Sequence, residues 1–118
     1  MTVLMLGRHL ELGHYRSEFL KSHGFHVIFP ESKQEALVAI RAGAFDAAII
    51  SYTLSKESAQ EFVALIEQVS PDCPLVAIVQ QPEAQAPFPR DETVLDVAPP
   101  KALLDALIRI EKRRLQSG

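Results

Sequence analysis

Residues 45–54 read FDAAIISYTL. Asp46 opens the stretch, Ala47, Ala48, Ile49 and Ile50 follow without a polar interruption, and the chain leaves the apolar run at Ser51-Tyr52-Thr53. A run this short, apolar on both faces, is too brief for a helix and fits a strand buried on both sides, as in a parallel sheet. Parallel sheets place ligands and chemistry at the carboxyl ends of their strands. The residue that ends this strand therefore bears directly on function, and it is a hydroxyl, Ser51, where a carboxylate would have been the chemically active choice.

Four more runs of the same kind lie along the chain: Val3 to Leu6, Val27 to Phe29, Leu75 to Val79 and Val94 to Val97. Helical spacing separates them. Tyr15, Phe19, Leu20 and His23 recur on one face before Gly24, a suitable residue for a left-handed cap. Ser32 with Glu35 forms a capping-box pattern ahead of Ala36, Leu37, Ile40 and Gly43, and Ser58 with Glu61 does the same ahead of Phe62, Leu65, Ile66 and Val69. Leu103, Leu104, Leu107, Ile108 and Leu115 mark a last helix that Pro99-Pro100 precedes. The order implies an α/β domain with a doubly wound, five-stranded parallel sheet in flavodoxin-like order 2-1-3-4-5. Residues 80–92, QQPEAQAPFPRDE, carry Pro82, Pro87 and Pro89, which remove amide donors and fix φ. Here the fourth crossover helix is expected to be shortened or replaced by a loop.

Composition narrows the function classes. With 118 residues, 47% hydrophobic and 23% charged, the chain reads as one domain over 1–118, with 111–118 a linker or frayed helix end. A net charge of −3, with the basic cluster Lys112-Arg113-Arg114 at the far C-terminus, argues against direct nucleic-acid binding. One cysteine, Cys73, excludes an internal disulfide and suits a reducing cytoplasm. No run of 18 apolar residues suggests a membrane span, and neither a G-x-G-x-x-G nor a P-loop motif is present. His14, His23 and His26 follow no metal-ligand spacing.

From the strand-one run through Phe19-Leu20, Gly24-Phe25, Glu35-Ala36-Leu37, Gly43 and Phe45-Asp46 to Ser51, the sequence resembles the first half of a response-regulator receiver domain. Residues 71–79, PDCPLVAIV, resemble that family's approach to strand four. The resemblance spans the whole chain and weakens after residue 80. It implies a phosphorylation pocket whose polar members are all replaced. The metal-holding acidic pair falls on Gly7 and Arg8, the phosphoacceptor aspartate on Ser51, the switch hydroxyl on Val79 or Gln80, and the lysine on Ala98 before Pro99.

Physical chemistry points the same way. Mg²⁺ requires carboxylate oxygens, which these strand ends do not supply. A guanidinium about 5 Å from a divalent ion would cost roughly 6 kcal/mol at an effective dielectric near 20. A catalytic Ser51–His9 pair would need a carboxylate to orient the imidazole, and no G-x-S-x-G elbow exists. The expectation is thus a pseudo-receiver with neither enzymatic activity nor cofactor nor metal, acting as a protein-interaction module in two-component signalling. Its partner would be a signalling protein, an output domain of its own chain, or a second copy in a homodimer. The candidate partner surface is Phe88, Thr93 and Leu95 beside the remodelled crossover. The alternative is a small-anion or metabolite sensor built around Arg8, Ser51 and Gln80. Independently of that reading, Arg8 is expected to lie over the pocket formed by Gly7, Ser51 and Gln80.

Overall fold

The computed structural model describes residues 1–117, with side chains through Gln116. Its elements alternate in chain order: β1 Thr2–Leu6, α1 Leu10–Ser22, β2 His26–Ile28, α2 Lys33–Ala42, β3 Ala47–Ser51, α3 Lys56–Val69, β4 Leu75–Val79, β5 Glu92–Leu95 and α4 Pro100–Ser117. The strands form one parallel sheet in the order β2-β1-β3-β4-β5, the flavodoxin-like arrangement expected.

Strand periodicity divides the core into two layers. Val3, Met5, Ala47, Ile49, Val76, Ile78 and Val94 face one side and pack on Leu20, Leu103, Leu104 and Leu107 from α1 and α4. Leu4, Leu6, Ala48, Ile50, Ala77 and Val79 face the other and pack on Ala36, Ile40, Phe62 and Ile66 from α2 and α3. Successive side chains of a strand point to opposite faces, so runs apolar throughout become cores on both sides of one sheet.

The helix boundaries follow from local chemistry. Helix α1 ends in a Schellman arrangement: the Gly24 amide donates to the Lys21 carbonyl at 3.1 Å and the Phe25 amide to the Leu20 carbonyl at 3.2 Å, with Gly24 at φ 91°. At α2, Ser32 Oγ accepts the Glu35 amide at 3.1 Å, and the Glu35 carboxylate reaches back to the Glu31 amide at 2.8 Å. Gly43, in the left-handed region at φ 67°, closes that helix. Helix α3 starts one turn before the expected site, because Ser55 is the cap and its Oγ accepts the Ser58 amide at 3.1 Å.

Three expectations about apolar faces need correction. The buried line of α1 is Gly13, Ser17 and Leu20, while Tyr15 is 60% exposed. In α4, Ile110 occupies the core and Leu115 is 78% exposed. Strand β5 stops at Leu95, two residues short of the expected end, and the chain then turns so that the Ala98 amide donates to the Leu95 carbonyl at 3.1 Å. The tail residues 111–117 continue α4 as helix, and Gly118 lies outside the described residues.

Between β4 and β5 there is no helix. The segment contains one turn, with the Ala84 amide donating to the Gln81 carbonyl at 3.1 Å, and Gln60 of α3 anchors it by donating from Nε2 to the Pro87 carbonyl at 3.2 Å. Phe88, expected as an exposed contact residue, is instead only 8% exposed and belongs to the core layer of Val79, Ala77 and Phe62. With no crossover helix to cover β4, a single aromatic ring from the loop supplies the missing apolar surface.

Candidate functional site

The carboxyl edge of the sheet collects Gly7, Arg8 and His9 after β1, Ser51 at the end of β3, Val79 and Gln80 at the end of β4, and Asp96 after β5. Ser51 is buried, and its Oγ accepts from the Thr53 amide at 3.2 Å and from the Thr53 hydroxyl at 3.1 Å. Thr53 Oγ1 in turn accepts the Arg8 amide at 2.9 Å. This chain of hydroxyls ties the loop after β1 to the loop after β3. A β-carbon on Gly7 would stand 3.2 Å from both Ser51 Cβ and Thr53 Oγ1, so the absence of a side chain at Gly7 leaves room for Thr53 to close the gap.

His9 is the N-cap of α1: its Nδ1 accepts the Leu12 amide at 3.2 Å. That nitrogen is thereby committed to the helix terminus. Ser51, with its oxygen holding two donors from Thr53, is a structural hydroxyl in this geometry.

The expected pocket of Arg8, Ser51 and Gln80 is divided in two. Arg8 borders a cleft of about 360 Å³ with Pro30, Glu31, Ser32, Lys33 and Ser58. Ser51 and Gln80 border a separate groove of about 620 Å³ with Lys56, Gln60, Ala86 and Phe88. Leu54 lines both and stands between them. Arg8 is exposed, and its guanidinium makes no hydrogen bond or ion pair among the described residues. It does not lie over Ser51.

Ala98 sits in the turn after β5 and lines a small cleft with Arg16, Asp96 and Pro99, so the strand does not deliver it to the sheet edge. What β5 does deliver is Asp96. Its Oδ1 receives Arg16 Nη2 at 2.7 Å, and its Oδ2 receives the Tyr52 hydroxyl at 3.0 Å. Burial, followed by the hydrogen bond to Asp96, raises the Tyr52 phenol above its ordinary value, partly offset by Arg16. The network joins α1, the β3 loop and β5 in one place. Neither Arg16 nor Asp96 stood out in the sequence, although an aspartate inside the run VLDVA is a strand-ending signal, since strands are depleted in aspartate. Val79 is buried in β4, while Gln80 is the exposed residue just past it.

On the candidate partner surface, Thr93 is exposed and its Oγ1 receives Arg90 Nε at 3.2 Å, whereas Leu95 is half-buried against the core. Two members of the C-terminal basic cluster form ion pairs at the surface: Arg113 pairs with Glu92, and Arg114 reaches Asp46 at 3.4 Å. Glu92 is held below the usual carboxylate range, chiefly by Arg109. Among the described residues no group of three or more His, Cys, Asp or Glu side chains converges, and no helix is long and apolar enough to cross a membrane.

No protein-family model matches the chain, and no curated protein matches it. Solved structures do. The chain superimposes with a TM-score of 0.84 on a CheY-like response-regulator receiver domain protein from Methanospirillum hungatei, at 14% identity over 99% of this chain and 98% of that one. The Vibrio cholerae chemotaxis protein CheY4 gives a TM-score of 0.79 at 21% identity, over 92% and 96% of the two chains. The receiver domain of a Pseudomonas aeruginosa sensor histidine kinase, whose structure has magnesium coordinated in its active-site cleft, gives 0.72 at 16% identity, over 92% and 94%. At these identities the likeness is one of fold.

Proposed function

We propose that this chain is a receiver-like module of two-component signalling that works without phosphorylation, by binding a protein partner. The observation that carries the reading is the hydroxyl chain from the Arg8 amide through Thr53 to Ser51, which fills the place where the receiver resemblance calls for two metal-holding acids and a phosphoacceptor. Phosphoryl transfer depends on cations that neutralise the equatorial oxygens, and a metal there depends on carboxylate ligands. The carboxylates at this end are already engaged, Asp96 by Arg16 and Tyr52 and Glu31 by His14. A pseudo-receiver of this kind is not an enzyme; it presents a surface, and the output domain or signalling protein that reads it meets a fixed conformation.

The partner surface best supported is the unpaired edge of β5 around Thr93, with the outer face of α4 beside it, where Ile108 is partly exposed. Incubation with acetyl phosphate and Mg²⁺, followed by intact mass measurement, tests the reading: the expected result is an unchanged mass. A stoichiometric phosphoryl adduct would overturn it.

A further inference from the structure

The groove of about 620 Å³ at the carboxyl ends of β3 and β4 is walled by α3 on one side and by the 84–88 loop on the other. Its size falls within the range of small-molecule sites. Leu54, Ala86 and Pro87 give it an accessible apolar lining over a buried floor of Ala59, Ala77, Val79 and Phe88, and the groove exists because a loop lies beside β4 where a helix would have stood. Its polar members are Ser51, Tyr52, Gln60, Gln80, Gln85 and Lys56, and Lys56 is the one cation among them. None of its lining residues is acidic, and Lys56 makes no ion pair or hydrogen bond among the described residues. Gln60 spends one amide hydrogen on the Pro87 carbonyl, which fixes the wall in place and leaves its amide oxygen free of that bond.

From this combination we infer a binding site for amphipathic monocarboxylates, with the apolar body against Leu54, Ala86 and Pro87 and the carboxylate at Lys56. One ammonium flanked by amides matches a single negative charge; a phosphate dianion would call for a second cation or a guanidinium fork, and Arg8 lies in the other cleft. The apolar lining excludes a bare small anion as the natural occupant, because such an ion would leave that surface in water. The site therefore replaces the Arg8-centred sensor pocket suggested by sequence with one centred on Lys56, and it stands apart from the β5 partner surface.

Octanoate, octanamide and acetate titrated into ¹⁵N-labelled protein, read by amide chemical shifts, test the assignment. Octanoate should saturably shift the amides of Ala59, Gln60, Val79 and Ala86, with octanamide and acetate each at least about fivefold weaker. Lys56→Gln, an exposed change whose folding the same spectrum verifies, should weaken octanoate about fivefold and leave octanamide unaltered. Equal affinity for octanoate and octanamide, octanoate binding undiminished by Lys56→Gln, shifts centred on Arg8 and Ser32, or no saturable shift at all would each overturn it.

Discussion

Arg16 on α1 and Asp96 after β5 meet at 2.7 Å with side chains only 11% and 23% exposed, so one ion pair, largely out of water, fastens the first helix to the last strand. Tyr52 completes the arrangement from the β3 loop. Removing one partner of a pair this sheltered strands the other charge, and Asp96→Ala should lower stability by about 3 kcal/mol. Tyr52→Phe removes one neutral donor and should lower it by about 1 kcal/mol at most. Urea unfolding of the two variants measures both; an Asp96→Ala loss below about 0.5 kcal/mol would show the pair to be a surface contact.

Gly13 lies in the interior of α1, where alanine ordinarily gains about 1 kcal/mol over glycine. A β-carbon there would come within 2.1 Å of Phe29 Cζ and within 2.7 Å of both Cε atoms, so the ring as a whole would have to leave. That ring also meets His14 edge-on at 5.1 Å. Gly13→Ala should therefore destabilise by about 1–3 kcal/mol. In a Phe29→Ala background the same change should be neutral or stabilising, and a thermal-melt cycle with no such coupling would refute the contact.

Burial, reinforced by Asp91 and Asp46, pushes the Cys73 thiol from 9.0 up to about 11. The folded value lies above the unfolded one, so the unfolded chain releases its proton first. The contribution is complete below about pH 9 and is lost as pH rises through about 11. Cys73→Ser should flatten that part of the stability profile. At pH 8 the folded thiol should react with iodoacetamide roughly a hundredfold more slowly than a cysteine in the urea-unfolded chain. Equal rates would contradict the burial.

How much of this was legible depends on range. The five strands, their order and the loop at 80–91 were readable because Val3–Leu6, Ala47–Ile50 and Leu75–Val79 are uninterrupted apolar runs, and because Pro82, Pro87 and Pro89 act locally on φ and on amide donors. The Gly24 and Gly43 stops were likewise local. Phe88 was not legible: a phenylalanine between two prolines reads as loop, and only the bare side of β4 decides that it folds inward. The Arg16–Asp96 contact spans 80 positions of sequence, and no periodicity reports a pair that distant. Arg8 was misplaced for the same reason, since Leu54, from a turn of unremarkable sequence, separates it from Ser51.

Phe88 should be the energetic anchor of the segment that replaces a helix. Its ring is 8% exposed and packs with the β4 side chains Ala77 and Val79, so Phe88→Ala should cost about 3 kcal/mol, within the range for large-to-small core changes. The backbone around it has few internal hydrogen bonds, so amides 81–86 should exchange close to the rate of open chain while those of β3 and β4 are protected. Protection of 81–86 equal to that of β4 would refute this picture of a loop held by the Phe88 ring and the Gln60 bond.

The hydroxyl chain makes opposite demands on the two neighbours Gly7 and Arg8, and on the backbone and side chain of Arg8. Thr53 Oγ1 accepts the Arg8 amide and donates to Ser51, so Thr53→Val, which keeps the shape and loses the hydroxyl, leaves the Arg8 amide unmatched and Ser51 Oγ with one donor in place of two. It should lower stability by about 1–2 kcal/mol. Arg8→Ala keeps the amide and removes only an exposed guanidinium, and should fall within about 0.5 kcal/mol of the parent. Gly7→Asp should be the most damaging of the three, because its β-carbon would sit 3.2 Å from Ser51 Cβ, which belongs to a strand and has little room to yield. Chemical unfolding of the three variants ranks them. If Arg8→Ala proved costlier than Thr53→Val, the guanidinium would have to be fixed in place, and the loop would be held by charge where the geometry has it held by hydroxyls.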